Sequence, residues 1–294
     1  MTDLQSLLEC PACRGDLELS AENAVCACGS AYEVRDGIPM LLADPSDFSN
    51  RQAEWFDHVV DDEWEVERPR GAPALYRWLL AEKFRRGVEG VQLSGATALA
   101  VCAGSGMDAE FLARAGAQVV ALDISLGAAR RASERARRHR FALLPVVGDV
   151  EHLPFRDASV DVVYVHDGLH HLEDPLLGLA EMARVARCAV CVTEPARAAG
   201  TRLAVRVGMA LEHEESGNRV ARLTLEDVRS TLVARGFSVV IAERYAMYYR
   251  HEPGRAVRVL SVPGAFALAR TGFRVANLLL GAGGNKLVVV GVRR

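Results

Sequence analysis

The chain has 294 residues, of which 50% are hydrophobic and 25% are charged, and its formal net charge is -3. A chain of this length and composition can bury one large core and carry a small additional module. The slightly negative charge argues against a dedicated nucleic-acid binder, because affinity for phosphate backbones relies on a basic surface.

Four of the seven cysteines lie close together near the start of the chain. The segment from Met1 to Glu9 lacks the basic and then apolar pattern of a signal peptide, which predicts a cytoplasmic protein. In such a compartment, clustered cysteines indicate a metal site rather than disulfides. Cys10 and Cys13 are separated by two residues, and a second pair, Cys26 and Cys28, is predicted to complete a tetrahedral zinc site. The second pair is one residue tighter than usual, which makes Cys26 the weakest predicted ligand.

The residues after these cysteines continue the pattern of a small β domain. Gly29 to Leu42 reads GSAYEVRDGIPMLL, and with the cysteines before it resembles the zinc-ribbon family of the small activator subunit that partners RNA and protein methyltransferases. We therefore predict a zinc-ribbon domain over residues 1–45, with Zn²⁺ in a structural role. The alternative is a ribbon that has lost its metal and keeps only its small β core.

The next segment, residues 51–90, is rich in aromatic and charged residues. It contains all three tryptophans of the chain and three further rings: Trp55, Phe56, Trp64, Tyr76, Trp78 and Phe84. These are too many aromatic residues for a passive linker. The plainest interpretation of any single ring is that it packs a helix onto a sheet.

The most informative segment runs from Leu99 to Asp123, because it combines a strand, a glycine turn, a helix, a second strand and an acid. Gly104 and Gly106 allow a tight turn and a close approach of the backbone to a ligand. The N-terminus of the following helix directs free N–H groups toward the same place. Asp123 is predicted at the C-terminal edge of the sheet, where its carboxylate can accept both hydroxyls of a ribose. This order predicts a nucleotide-like cofactor.

Two further strands are predicted to end at the same edge. Leu144–Val147 is followed by Gly-Asp-Val, in which Asp149 can accept from an adenine amino group. Asp161–Val165 runs into HDGLHHLEDP, which begins at His166. With the glycine turn, these ordered motifs resemble the class I S-adenosylmethionine-dependent methyltransferases, in the subgroup with Leu-His-His-Leu-x-Asp-Pro after the fourth strand. The match covers residues 99–193.

This resemblance implies an α/β fold with a Rossmann-like, doubly wound sheet of seven strands. The implied order is the zinc ribbon, a helical lid over residues 46–95, and a methyltransferase domain over residues 96–294. The implied cofactor is S-adenosyl-L-methionine, held by Ala103, Gly104, Ser105, Gly106, Asp108, Asp123, Ile124, Asp149, Val150 and His166. Ala100 and Cys102 stand where the family usually has an acid and a glycine, so Asp108 is a candidate to grip the methionine amino group instead.

Catalytic candidates lie in the loop after the fourth strand, at His166, His170 and His171. A histidine there can take a proton from a hydroxyl or amine nucleophile, and its ordinary pKa suits neutral pH. The alternative is that these histidines serve the structure of the loop, since methyl transfer to some acceptors needs only proximity and orientation.

Substrate-binding candidates come from two other segments. Tyr76 and Arg77 belong to the lid, which in the family forms one wall of the substrate pocket. His213 and Glu214 belong to an insertion over residues 196–223, a position that commonly builds the pocket. The alternatives are ring packing for the first pair and a solvated helix end for the second.

Two segments invite other interpretations. The arginine-rich helix after Asp123 is predicted to lie in the outer layer with solvated arginines, rather than to bind RNA. The apolar stretch from Ala256 to Leu280 contains Pro263 and several arginines, so we predict an amphipathic helix and no membrane span.

Together these features predict an S-adenosylmethionine-dependent methyltransferase that acts on O, N or C of a small-molecule acceptor, in the biosynthesis of a secondary metabolite. An RNA or protein methyltransferase that uses the ribbon to present its substrate is the main alternative. A non-catalytic cofactor-binding module and an NAD-dependent enzyme are further alternatives. For NAD the glycine pattern is imperfect, because Cys102 and Ala109 occupy two of its positions. The acceptor and the oligomeric state stay open.

Overall fold

The computed structural model describes residues 4–58, 62–197, 206, 213, 218, 220 and 223–293. The strands are β1 (Leu17–Leu19), β2 (Asn23–Cys26), β3 (Ala31–Arg35), β4 (Ile38–Leu41), β5 (Thr97–Val101), β6 (Gln118–Asp123), β7 (Leu144–Gly148), β8 (Val160–His166), β9 (Ala186–Pro195), β10 (Phe237–Tyr245) and β11 (Lys286–Arg293). The helices in the same ranges are α1 (Leu4–Leu7), α2 (Asp47–His58), α3 (Asp62–Glu67), α4 (Ala74–Gly87), α5 (Met107–Arg114), α6 (Leu126–His139), α7 (Pro175–Val185), α8 (Leu225–Ala234), α9 (Arg255–Val259) and α10 (Pro263–Leu280).

Strands β5 to β11 form the central part of one mixed sheet, in the order β7-β6-β5-β8-β9-β11-β10. Neighbouring strands from β7 to β9 are parallel, and β11 lies antiparallel between β9 and β10. On β8, Val163 and Val165 point into one core while Val162 and Tyr164 point into another. A strand with apolar side chains on both faces is typical of a sheet covered by helices on both sides. The chain leaves β5 in one direction and β8 in the other, which creates a switch point between them.

The prediction of a seven-stranded sheet is wrong in one respect, because the sheet formed by the described residues has eleven strands. Strand β4 pairs in parallel with β7, with Met40 opposite Val147 and Leu41 opposite Gly148, so β1 to β4 extend the central sheet. The physical reason is that β7 would otherwise present an open edge of backbone donors and acceptors. Ile38 and Leu41 are buried at this junction, which adds apolar stabilisation to the pairing.

The segment predicted to be a lid contains α2, α3 and α4, of which α2 and α3 pack on α6. At the end of α2, Asp57 Oδ1 accepts hydrogen bonds from Ser125 Oγ at 2.6 Å and from the Gly127 backbone N–H at 2.7 Å. These two bonds fix α2 at the N-terminus of α6.

The arginine-rich helix α6 differs from the expectation of solvated arginines, because two of them are interior. Arg135 is fully buried, donates to the Ser105 carbonyl at 2.8 Å and pairs with Glu110 at 3.2 Å. Arg131 is also buried and donates to the Phe56 carbonyl at 2.6 Å. The sequence pattern could not separate these positions, because the lid that covers them is brought in from an earlier part of the chain.

The C-terminal region places α9 and α10 on the outside of the molecule. Phe266, Ala269 and Phe273 of α10 pack toward α4, where the Phe273 and Trp78 rings meet edge to face with centroids 5.0 Å apart. None of the side chains of α10 is fully buried. Among the described residues, no helix has the length and apolar character that crossing a membrane requires.

Candidate active site

A cavity of about 800 Å³ opens at the C-terminal ends of β5, β6, β7 and β8. This is the edge of an open α/β sheet where ligands bind. With the exception of Gly106, the predicted cofactor-binding residues line this cavity: Ala103, Gly104, Ser105, Asp108, Asp123, Ile124, Asp149, Val150 and His166. The fold thus brings together residues that are more than sixty positions apart in the sequence.

The two glycines of the turn have different local roles. Both have left-handed backbones, with φ of +51° at Gly104 and +77° at Gly106. A Cβ on Gly104 would meet no atom within 4 Å, so the backbone there is open to a ligand. A Cβ on Gly106 would lie 3.0 Å from the Cβ of Ala132, so this glycine instead permits the close approach of α6. Gly106 also stands at the N-terminus of α5.

The carboxylates of Asp123 and Asp149 are oriented by hydrogen bonds that leave them further acceptor capacity. Asp123 accepts from the backbone N–H of Gly104 at 2.8 Å and of Ser125 at 3.0 Å, one at each oxygen. Burial raises the pKa of Asp123, and these hydrogen bonds oppose that rise. Asp149 accepts from the Glu151 N–H at 2.8 Å and from Ser49 Oγ at 3.2 Å. Because a carboxylate has about four acceptor positions, each can accept further hydrogen bonds from a ligand.

Cys102 lies beside the turn in a strained conformation. Its φ is +48°, in the left-handed region that favours glycine, and its side chain lines the cavity. A Cβ on Gly168 would lie 2.4 Å from the Cys102 Cβ, so the two segments touch at this point. Burial raises the pKa of the thiol well above its usual range, which keeps it uncharged.

His166 is the centre of a hydrogen-bonded group at the end of β8. Its Nδ1 lies 2.9 Å from Asp108 Oδ1, and its Nε2 lies 3.1 Å from the hydroxyl of Tyr249. Burial lowers the pKa of His166, but the charge of Asp108 and its hydrogen bond raise it more, so the net direction is upward. The carboxylate at Nδ1 holds a proton on that nitrogen and leaves Nε2 as the site of proton exchange.

Asp167, the next residue, is held by two lysines. Its Oδ2 pairs with Lys83 and, at 2.8 Å, with Lys286, and it also accepts from Tyr249 Oη at 3.3 Å. Burial lowers the pKa of Lys83 to about 7, although the charge of Asp167 opposes this. Burial alone would raise the pKa of Asp167, but the two lysines hold it well below its usual range. Asp167 has a φ of +49°, so a second strained residue lies at this edge.

The other two histidines of this loop lie in different environments. His170 is buried, and its Nδ1 lies 2.8 Å from Oε2 of Glu194, itself fully buried. The other oxygen of Glu194 accepts from the N–H groups of Gly168 and Leu169 at 2.7 and 2.8 Å. His171 lines the cavity and meets the Phe56 ring edge to face at 5.2 Å. The contact between His170 and Glu194 therefore stabilises the loop after β8, whereas the His171 side chain is accessible from the cavity.

The predicted substrate-binding residues that the structure describes, Tyr76, Arg77 and His213, do not line the cavity. Tyr76 is fully buried and donates to the His251 carbonyl at 2.7 Å, one layer behind the cavity wall. Arg77 is exposed on the outer side of α4, and His213 is exposed as well. Glu214 lies outside the described residues.

The lid supplies one wall of the cavity through Trp55, Phe56, Trp64 and the buried Glu65. Ser105 Oγ donates to Glu65 at 2.7 Å, which joins the lid to the glycine turn. Burial raises the pKa of Glu65, but hydrogen bonds and charges from His251 and Arg68 lower it to about 2. The carboxylate is therefore charged and paired at every pH near neutrality.

The four cysteines of the N-terminal region form a second candidate site. The sulfur atoms of Cys10, Cys13, Cys26 and Cys28 all lie within 4.8 Å of one another. The Cys10–Cys28 and Cys13–Cys26 distances are 3.9 and 3.5 Å. A tetrahedral zinc ion with Zn–S bonds of about 2.3 Å places its sulfur ligands about 3.8 Å apart, so the four thiols fit zinc.

Several residues at the candidate active site were not predicted from the sequence: Glu65, Lys83, Asp167, Glu194, Tyr249, His251 and Lys286. Asp167 carried a signal, because it is an acid at the C-terminal end of a buried strand, as Asp123 is. Tyr249 and Lys286 carried none, since they reach the cavity only through the antiparallel return of β11 between β9 and β10.

Residues 99–188 match the family of methyltransferase domains. The chain is 39% identical over 95 residues to a demethylmenaquinone methyltransferase of Thermobifida fusca and 41% identical over 93 residues to one of Renibacterium salmoninarum. Each alignment covers 32% of this chain, and the chain spans only 40% and 38% of the length of these two relatives.

Solved structures resemble the chain over more of its length. Magnesium protoporphyrin IX methyltransferase from Synechocystis PCC 6803 with bound SAH has a TM-score of 0.57 at 17% identity, covering 83% of this chain and 99% of that one. A chain in the complex of the Haloferax volcanii Trm112 methyltransferase activator with a methyltransferase has a TM-score of 0.53 at 19% identity, covering 84% and 97%. At these identities the likeness shows the fold, and the predicted α/β methyltransferase fold is confirmed.

Proposed function

We propose that this chain is an S-adenosylmethionine-dependent methyltransferase that acts on a small-molecule acceptor. The observation that carries the proposal is the single cavity in which Gly104, Asp123, Asp149 and His166 meet at the sheet edge. The match of residues 99–188 to methyltransferase domains supports it. The two relatives are named for demethylmenaquinone and one of the similar structures for magnesium protoporphyrin IX, which supports a small organic acceptor.

The cavity fits the cofactor by the chemistry of its walls. Asp123 has free acceptor positions for ribose hydroxyls, and Asp149 has them for an adenine amino group. The turn from Ala103 to Gly106 leaves open space at Gly104 for the methionine part. When bound, S-adenosylmethionine supplies an electrophilic methyl group on its sulfonium sulfur. Ile124 and Val150 line the same cavity and would contribute apolar contact.

We assign His166 as the general base, with Asp108 as the residue that positions it. Asp108 fixes the imidazole through Nδ1, and Nε2 faces the hydroxyl of Tyr249 at 3.1 Å. An acceptor O–H or N–H at this place would lose its proton to Nε2, and the imidazolium formed would be stabilised by Asp108. In this assignment Asp108 positions His166, whereas the sequence led us to expect that it would bind the methionine amino group of the cofactor.

Asp167, Lys286 and Tyr249 would orient the acceptor next to that base. All three line the cavity, and both lysines that neutralise Asp167 bind its Oδ2. Oδ1 of Asp167 is buried and has no hydrogen-bond partner among the described residues. A buried carboxylate oxygen in this state favours a ligand that donates a hydrogen bond. The rings of Trp55, Phe56 and Trp64 on the lid side would keep water away from the reaction.

The N-terminal ribbon would bind a structural zinc ion through Cys10, Cys13, Cys26 and Cys28. Among the described residues, the first along the chain to line the cavity is Ser49, so no residue of the ribbon lines it. The ribbon instead continues the sheet beyond β7. This position favours a scaffolding role for the ribbon over the presentation of RNA or protein to the cavity.

Isothermal titration calorimetry with S-adenosylhomocysteine tests the function. We expect stoichiometric binding, weakened at least tenfold in Asp123→Ala, because two charge-assisted hydrogen bonds to the ribose are lost. Asp16→Ala, an exposed acid of the ribbon, serves as the control and should bind normally. Absence of binding, or binding of NAD in its place, would overturn the proposal.

A further inference from the structure

The outer surface of α9 and α10 exposes a row of large apolar side chains. Leu268, Leu278 and Leu279 are 76%, 86% and 73% exposed, and Val275 is 50% exposed. The residues that lead into α10 continue the surface, because Val259 and Val262 are more than half exposed. Single exposed leucines are ordinary, but several large apolar side chains exposed together on one helix mark a candidate site of interaction.

These side chains belong to one side of the helix. Leu268, Val275 and Leu279 follow each other at intervals of seven and four residues, the spacing that repeats along one helical face. Phe266, Ala269 and Phe273 occupy the opposite side and pack toward α4. The helix therefore has one apolar side for the body of the protein and a second apolar side that faces outward.

The charged side chains on α9 and α10 themselves all have the same sign. Residues 253–294 contain no Asp or Glu, whereas the chain as a whole has more acids than bases. Arg255, Arg258 and Arg274 are exposed on the same two helices. A basic amphipathic helix with exposed leucines is typical of segments that lie in the interface of a bilayer. Anionic headgroups would pair with the arginines, whereas a protein partner would need both an apolar and an acidic surface.

We propose that α9 and α10 dock this protein on the surface of an anionic lipid bilayer. The leucines would enter the boundary between headgroups and acyl chains, and Arg255, Arg258 and Arg274 would contact anionic headgroups. The contact is interfacial, in agreement with the finding that no helix among the described residues is suited to span a membrane.

A second cavity lies beside the active-site cavity and borders α9. It has a volume of about 340 Å³ and is lined by Arg258 of α9 together with Trp64 and Glu252. Trp64 and Glu252 also line the main cavity. This step rests on the proposed function: an amphiphilic acceptor drawn from the bilayer would have a short route to His166.

Vesicle sedimentation of the full chain tests the docking surface. We expect binding to vesicles of phosphatidylglycerol and phosphatidylcholine, and at least tenfold weaker binding to phosphatidylcholine alone. The double variant Leu268→Gln/Leu279→Gln should bind the anionic vesicles at least tenfold more weakly, because two apolar side chains that would be buried in the bilayer are removed. Arg255→Gln/Arg258→Gln should lose at least tenfold and become less sensitive to salt.

The matched control is Val233→Gln/Val240→Gln, which changes two side chains that are 54% and 55% exposed on α8 and β10. It should bind vesicles as the unaltered chain does. Equal binding to both kinds of vesicle, no binding, or an equal loss in the control would overturn the proposal. A dimer in light scattering that Leu268→Gln/Leu279→Gln dissociates would also overturn it, in favour of a second copy on this surface. Calorimetry with S-adenosylhomocysteine on the same variants tests the proposed function separately.

Discussion

At the scale of single residues, Cys102 and Gly168 lie so close that residue 168 has no room for a Cβ. Cys102 has a left-handed backbone although it is not glycine, and such strain is commonly retained near functional sites. Its side chain occupies the space that a Cβ on Gly168 would need. The side chain at position 102 therefore requires a glycine at position 168. The loop after β8 can lie against the glycine turn only while residue 168 has no side chain.

Gly168→Ala should lower the free energy of unfolding by about 1–3 kcal/mol, because its Cβ would lie 2.4 Å from the Cβ of Cys102. Urea denaturation measures this value. The double variant Cys102→Gly/Gly168→Ala should recover a large part of the loss, since it removes both clashing atoms of Cys102. Gly272→Ala in exposed α10, where a Cβ meets nothing within 4 Å, should be neutral or stabilising. Equal effects at positions 168 and 272 would contradict the account.

The raised pKa of His166 implies that catalytic activity depends on pH. A general base must be neutral, so kcat/KM should fall as the pH falls through the pKa of His166, which lies above its ordinary value of about 6.5. Asp108→Asn removes the charge that raises this pKa, so the acidic limb should move to lower pH. A pH–rate profile at saturating cofactor measures the shift. An acidic limb that stays in place in this variant would remove His166 from the role of base.

The same raised pKa makes protonation of His166 favourable to folding. The contribution is fully present below the unfolded pKa of about 6.5 and is lost as the pH rises through the folded pKa. Activity and this part of stability therefore change in opposite directions over the same pH interval.

At the scale of elements, polar contacts join the lid helices to the rest of the site. Helix α2 carries Trp55 and Phe56 into the cavity wall, and its end is joined to α6 by the two hydrogen bonds that Asp57 accepts and by the hydrogen bond from Arg131 to the Phe56 carbonyl. Each such bond stabilises by roughly 0.5–1.5 kcal/mol. The loss of one such bond should therefore raise the local opening rate of α2 measurably.

Asp57→Ala should therefore speed the hydrogen exchange of residues 47–58 by about tenfold, because about 1.4 kcal/mol corresponds to a factor of ten. Exchange measured by mass spectrometry gives the protection of that peptide, and calorimetry should show weaker binding of S-adenosylhomocysteine. Glu54→Ala changes an exposed acid of the same helix and should alter neither quantity. Unchanged exchange in Asp57→Ala would show that other contacts hold the lid.

At the scale of the whole molecule, the ribbon and the central strands share one sheet. The pairing of β4 with β7 joins the ribbon to the strand that precedes Asp149. Additional ion pairs cross the same junction, between Arg130 and Asp36 at 2.7 Å and between Arg184 and Glu9 at 3.2 Å. Unfolding of the ribbon should therefore destabilise the candidate active site, because the two are joined by the pairing of β4 with β7.

Cys13→Ser, or removal of zinc by a chelator, should lower the midpoint of thermal unfolding of the entire chain. Structural zinc contributes directly to folding, and all three tryptophans lie outside the ribbon, so their fluorescence reports on the remainder. We expect this fluorescence transition to shift together with circular dichroism. Cys188→Ser, an exposed cysteine away from the cluster, is the control. Less than half an equivalent of zinc in protein purified without chelator, or an unshifted tryptophan transition, would contradict this prediction.

The sequence by itself determined the central strands, the glycine turn and the acids at the strand ends. These features repeat a local pattern in which apolar runs end at a residue with a required chemistry, and such patterns can be recognised without knowing what packs nearby. Ala103 to Gly106, Asp123 and Asp149 belong to this class. The four cysteines do too, because their spacing is a property of two short turns.

Only the tertiary structure decided the surroundings of these residues. Lys83, Tyr249 and Lys286 come from α4, from the segment after β10 and from β11, and they meet at Asp167 because of the strand order. The separation of His166 from His170, the burial of Arg135 and the union of the ribbon with the central sheet have the same origin. Each depends on contacts between segments far apart in the chain, whose free energy is set by packing and by the pairing of buried charges rather than by local sequence.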